Sequence, residues 1–149
     1  MKYVFRLGMA TAVFLMSFSN AAFAEEFVGI VKSLKGQASV KRANDNMDAS
    51  VGMEIKVGDT VRTGADGSMA MIFSDDTIIT MGARTELVVD AYLFEPIEGR
   101  LGFVTSIVRG TISYLSGQIE KLSPGTVQLK TPAATIGVRG TYVLVKVAP

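Results

Sequence analysis

Ser68-Met69-Ala70-Met71-Ile72-Phe73, followed at once by Ser74-Asp75-Asp76, is the stretch that decides the fold class. Its side chains alternate along an extended chain, so Met69, Met71 and Phe73 share one face, and the polar triplet then ends the run. The Met69/Met71/Phe73 stripe reads as a core face, with an adaptable methionine-rich binding surface as the rival. The same period of two returns in Gln37-Ala38-Ser39-Val40-Lys41, Thr111-Ile112-Ser113-Tyr114 and Val127-Gln128-Leu129-Lys130. Tyr142-Val143-Leu144-Val145-Lys146-Val147 adds the β-branched enrichment that sheets prefer. Helices find little support, and the expected class is all-β.

Turn signals separate these runs: Asn44-Asp45-Asn46, Val57-Gly58-Asp59, Gly64-Ala65-Asp66-Gly67, Ser74-Asp75-Asp76 and Ser123-Pro124-Gly125. They are spaced so closely that few strands are expected to exceed about eight residues. Many short strands with frequent turns predict a β-solenoid-like or sandwich arrangement. An echo bears on the choice, because Val108-Arg109-Gly110-Thr111 and Val138-Arg139-Gly140-Thr141 share V-R-G-T, with Val61-Arg62-Thr63-Gly64 a looser relative. Repeated coils would produce such an echo, and so would ordinary strand-entry composition. Phe94-Glu95-Pro96-Ile97-Glu98-Gly99-Arg100-Leu101-Gly102 is the expected connection between two halves, since Pro96 cannot donate to a central ladder.

Ahead of this body, Lys2 and Arg6 precede the apolar run from Leu7 to Met16, and Ala22-Phe23-Ala24 leads into Glu25-Glu26. That is the order of a secretory signal: charged region, short apolar region, small-residue cleavage site. A membrane anchor would need roughly 20 apolar residues, and Ser17, Ser19 and Asn20 interrupt the run. The expectation is a signal-peptide helix in residues 1–24, cleaved to leave one domain over residues 25–149. Such a domain supports a single core without disulfides, and the chain has no cysteine for lipid attachment or cross-linking. Loss of Lys2 and Arg6 leaves 13 basic against 14 acidic residues. That near-neutral balance argues against nucleic acid and against an anionic membrane surface as partners.

Catalytic equipment is sparse. The chain contains no histidine and no cysteine, which removes the commonest general base, the thiol nucleophile and most zinc or iron ligand sets. Asp75 and Asp76 are paired carboxylates by type, but neighbours on a strand point to opposite faces, and a turn explains them. Asn44, Asp45, Asn46 and Asp48 offer oxygen ligands yet lack the spacing of a calcium loop, so they read as a solvated hairpin tip. Arg109 and Arg139 each precede Gly-Thr and have the donor fork that binds anions; arginine at a strand start also keeps a sheet edge soluble. No enzyme, cofactor or metal is expected, and no residue is singled out as a catalytic or binding site.

Two blocks carry a family resemblance. Val57-Gly58-Asp59-Thr60-Val61-Arg62-Thr63-Gly64, with Gly29-Ile30-Val31 and Gly36-Gln37-Ala38-Ser39-Val40 before it and Met71-Ile72-Phe73-Ser74-Asp75-Asp76-Thr77 after it, resembles the opening of a FecR-type domain. Gly117-Gln118-Ile119 and Val127-Gln128-Leu129-Lys130-Thr131-Pro132-Ala133-Ala134-Thr135-Ile136-Gly137-Val138-Arg139-Gly140-Thr141 resemble its closing segment. Where the family favours Asp-Gly after the Phe-x strand, this chain has Asp75-Asp76, which bears on the local turn type. The resemblance implies an all-β, partly solenoid-like periplasmic domain, of the kind that relays an occupied outer-membrane receptor to a cytoplasmic sigma factor. A full regulator also needs a cytoplasmic anti-sigma segment and a membrane helix, and about six residues precede the apolar run here. The expectation is therefore a stand-alone module, without the sigma-factor role.

Three functions follow as expectations. The first is an exported binding or signalling module, periplasmic or secreted in a Gram-negative envelope, that touches an envelope protein partner through a sheet edge or surface. The second is a glycan- or peptidoglycan-binding module, weakened by the lack of tryptophan and by the seven aromatics that remain beyond residue 24. The third is a structural protein that self-associates through open edges into a homo-oligomer.

Overall fold

The computed structural model describes residues 26–148. The expected signal helix and its cleavage site lie outside the described residues. From the N-terminal side run β1 (Gly29–Lys35), β2 (Ala38–Arg42), β3 (Asp45–Asp48), β4 (Glu54–Ile55), β5 (Thr60–Thr63) and β6 (Ser68–Phe73). Then come β7 (Ile78–Met81), β8 (Glu86–Glu95) and β9 (Arg100–Leu115), and after these a one-turn helix α1 (Gln118–Leu122), β10 (Val127–Lys130), β11 (Thr135–Gly137) and β12 (Tyr142–Val147).

The alternation read from Ser68 to Phe73 holds: β6 buries Met69, Met71 and Phe73 and half-exposes the residues between them. β7 repeats the pattern with Ile79 and Met81, and the two strands register Met71 opposite Ile79. Each such side chain contributes about 1.5–3 kcal/mol when taken out of water. The hairpin tip expected at Asn44-Asp45-Asn46 falls one residue earlier, at Ala43-Asn44 with Ala43 at φ 52°, and Asp45 and Asn46 already pair with β2.

The strands form one continuous sheet in the order β3-β2-β5-β8-β9-β7-β6-β1-β4. β9 is its spine and exceeds the short strands expected, with 16 residues against 10 in β8. From Arg100 to Arg109 it pairs with β8, and from Ile112 to Leu115 with β7. Gly110, at φ 94°, is where the strand changes partners; a glycine there permits a bend that an L side chain resists. β10 lies parallel to the first half of β9, and β12 antiparallel to the second. The sheet curls into a half-barrel whose two flanks share β9.

Phe73 of β6, Tyr92 of β8 and Phe103 of β9 meet inside the curl, with ring centroids 4.8–5.8 Å apart. Offset and edge-to-face contacts of this kind add to simple burial.

Two expectations need correction. Residues 94–102 do not connect two halves; they are the tip of the β8–β9 hairpin, with Pro96 starting a single 3-10 turn. The V-R-G-T echo does not mark successive coils. Its first copy bends β9, its second is the link that carries the chain to β12, and every described strand pair except β10–β9 is antiparallel. Stacked coils would pair parallel strands instead.

Candidate functional site

Two residues of the first motif block, Asp59 and Thr63, are structural. Asp59 is buried and accepts Arg42 Nε at 2.8 Å on one oxygen and Arg42 Nη2 at 2.7 Å on the other. The Lys56 amide also donates to it, at 2.8 Å. Bidentate guanidinium geometry and a backbone donor are what a buried carboxylate requires. Four residues on, Thr63 donates to Gly82 O at 2.6 Å and accepts the Thr85 amide at 3.0 Å. Thr85 Oγ1 in turn accepts the Thr111 amide at 3.1 Å. Sequence reasoning placed these residues in a motif without foreseeing that they tie β5, the β7–β8 turn and the β9 bend together.

Asp75 is the second hub, and here the turn alone is too small an account. Asp76 takes φ 70°, as the missing glycine demands, while Asp75 is fully buried. Its carboxylate accepts Thr77 Oγ1 at 2.7 Å, Tyr92 Oη at 2.9 Å and the Ile119 amide at 3.2 Å. Its own amide donates to Tyr92 Oη at 2.9 Å, and its carbonyl accepts the Gln118 amide at 2.7 Å. α1 is thus held to the β6–β7 turn by the Asp75 carboxylate and carbonyl together, and the Gln118 side chain adds a bond to Asp76 at 2.9 Å. Gly117 packs so closely there that a Cβ would lie 2.8 Å from Asp75 Oδ2. Burial, then the Asp75 charge, push the Tyr92 hydroxyl well above its usual range.

Tyr114 is different. Its hydroxyl is buried and has no hydrogen-bond partner among the described residues. Burial pushes its pKa up to about 12; the nearby Thr77 hydroxyl offsets part of the rise, and the charges of Asp75 and Glu120 add to it.

The closing block is likewise accounted for locally. Thr131 caps the β10–β11 hairpin, accepting the Ala134 amide at 3.1 Å, and Val138 is buried in the core. Gly140 O accepts the Ser116 hydroxyl, and Thr141 O accepts the Ser116 amide at 2.8 Å. Arg139 lines a shallow groove with Ser116, Glu120 and Lys121. Neither Arg109 nor Arg139 starts a strand: Arg109 sits beside the β9 bend, where it meets Glu86 at 3.4 Å. Asp45 and Asp48 are exposed on the β2–β3 hairpin. The structure does not bring the two arginines together.

Among the described strands β3, β4, β11 and β12 each have one unpaired side, and β12, with six residues, is the longest of the four. It pairs with β9 on one side, and no described strand pairs with its other side. Its outward face carries Tyr142 at 62% and Leu144 at 65% exposure, beside Leu115 of β9 at 41%. A row of unpaired backbone groups flanked by exposed apolar side chains is a template for another strand.

The family described as FecR protein matches residues 59–148, from the buried Asp59 to the end of the described chain. No curated protein and no solved structure matches. No described helix is long and apolar enough to cross a membrane.

Proposed function

Since the chain belongs to the FecR protein family, we propose that it is an exported signalling module of the bacterial envelope that works by touching another envelope protein rather than by catalysis. The observation that carries this is the open edge of β12, where Tyr142 and Leu144 stand exposed on a strand with one unpaired side. An extended segment laid along such an edge gains main-chain hydrogen bonds, and alternate side chains supply selectivity. The motif residues support the reading from the other direction. Asp59, Thr63, Asp75 and Val138 are consumed in holding the half-barrel together, so the contact falls to the surface. The charged, apolar and small-residue order of residues 1–24 supports export, into the periplasm or out of the cell.

The test is crosslinking capture from envelope extract with the wild-type chain and with Leu144→Glu, whose side chain is exposed and whose fold is checked by thermal melting. A partner held by the wild type and lost from the variant is the expected result. Recovery that is identical for both, or no specific recovery, overturns the assignment of β12 as the contact edge.

A further inference from the structure

Tyr142, Leu144 and Lys146 occupy alternate positions on the exposed face of β12. Lys146 also lines a groove of about 570 Å³ at the β9 bend, together with Arg84, Arg109, Gly110 and Thr111. The three cations come from three places: Arg84 from the β7–β8 turn, Arg109 from β9 and Lys146 from β12. Only one of them has a carboxylate. Glu86 meets Arg109 at 3.4 Å and is already held by Arg62 at 3.0 Å, and among the described residues neither Arg84 nor Lys146 forms an ion pair.

Arg84 is moreover held at φ 49°, its amide donating to Gly64 O at 3.0 Å. Left-handed backbone is disfavoured for a side chain of this size. The fold therefore fixes Arg84 in place at a local cost, with its guanidinium unspent. Two unpaired cations beside a third that shares its carboxylate with Arg62 make a focused positive field on a chain that is close to neutral overall.

We propose that this groove receives a carboxylate from an extended, acidic segment of the partner that pairs with β12. The inference rests on β12 being the contact edge. Successive same-face residues of a strand lie about 7 Å apart, so a partner strand with two apolar residues and then an acidic one, at alternate positions, meets Tyr142, Leu144 and the Lys146–Arg84–Arg109 groove in turn. A lone small anion would use the groove and ignore the stripe.

Three probes separate the cases on the purified full chain: an eight-residue peptide with valine at positions 2 and 4, glutamate at position 6 and threonine elsewhere, so that all three share one strand face; its glutamine counterpart; and inorganic phosphate. The glutamate peptide is expected to shift β12 amide resonances, to weaken as salt is raised, and to bind about tenfold less tightly to an Arg84→Gln/Lys146→Gln variant. The glutamine peptide is expected to bind more weakly and equally to both proteins. Both substituted side chains are exposed, so an unchanged melting temperature confirms the fold. Equal binding of the two peptides overturns the acidic preference and leaves the edge standing. Phosphate binding in the groove without peptide contact at β12 overturns the proposal in favour of a small-anion site. If neither peptide touches β12, the edge reading falls and the proposal falls with it.

Discussion

Gly110 lies against Thr85 so closely that a Cβ at position 110 would sit 2.5 Å from the Thr85 Cα. The same glycine has φ 94°, and the Thr111 amide beside it donates to Thr85 Oγ1 at 3.1 Å. Bend, close approach and hydrogen bond meet at one point, where β9 leaves one flank of the half-barrel for the other.

Gly110→Ala is therefore expected to lower the unfolding free energy by about 2–4 kcal/mol, through positive φ and steric overlap together. Gly102→Ala is the internal control: it lies in the same strand and meets nothing within 4 Å. Its change should stay within about 1 kcal/mol. Urea midpoints of the two variants decide it, and equal stability would show that the bend does not depend on Gly110.

Asp75→Ala strips the partner from Thr77 Oγ1, Tyr92 Oη and the Ile119 amide at once. Unpaired buried donors are the expensive outcome, so a loss of about 3 kcal/mol or more is expected. Tyr92→Phe removes one of those bonds and the acceptor of the Asp75 amide, and should cost about 1–2 kcal/mol. In a double-mutant cycle the two losses should fall well short of adding, because they delete a shared contact. Full additivity would show that the pair does not interact.

Tyr114→Phe should be neutral or stabilising at neutral pH, by up to about 1 kcal/mol, because the hydroxyl it removes is buried and has no partner among the described residues. The pH dependence follows from the raised pKa. The folded protein holds the Tyr114 proton to about pH 12, against a value of 10.0 without the fold's influence. The protonated form's stability is fully present below the unfolded value and is lost as pH rises between the two. Denaturant midpoints taken from pH 8 upward should fall more steeply in the wild type than in Tyr114→Phe once pH passes about 10. Parallel curves would count against burial as the cause.

How much of this the sequence disclosed depends on the range of the interaction. Met69, Met71 and Phe73 were legible because burial on one face leaves a period of two in the residues themselves. The β2–β3 turn was legible to within a residue, at Ala43-Asn44 instead of Asn44–Asn46, because turns are local. The length of β9 was not, since Gly110 has the form of a strand breaker and only its neighbour Thr85, 25 positions away, makes it a bend. Asp75 was hidden for the same reason. Its turn position could be read, but Tyr92 and Ile119, which bury and satisfy it, lie 17 and 44 residues off. The open edge of β12 depends on which strands pair, and periodicity carries no information about that.

Asp59→Ala should be among the most damaging single changes, by about 3–5 kcal/mol, because it leaves part of the Arg42 guanidinium and the Lys56 amide without their acceptor in a covered position. Arg62→Ala removes a guanidinium that meets Glu86 from a largely exposed position. It should cost about 1 kcal/mol or less and be masked by salt. Thermal melts at low and high ionic strength separate them. A salt-sensitive Asp59→Ala defect would mean that the Arg42–Asp59 pair is wetter than its geometry implies.

The unpaired side of β12 makes a residue-by-residue prediction for amide exchange. The Ser116 amide bonds Thr141 O, which sets the phase of the antiparallel ladder between β9 and β12. Bonded pairs alternate in such a ladder, so the amides of Val143, Val145 and Val147 face β9, while those of Tyr142, Leu144 and Lys146 face outward. The first set should exchange slowly and the second quickly in the isolated protein. A partner strand added to this edge must take up the outward amides, so Tyr142, Leu144 and Lys146 should become protected on binding while the other three barely change. Protection that spreads evenly over β12 would indicate general stiffening. Protection that appears elsewhere, with the outward amides still fast, would move the contact off this strand.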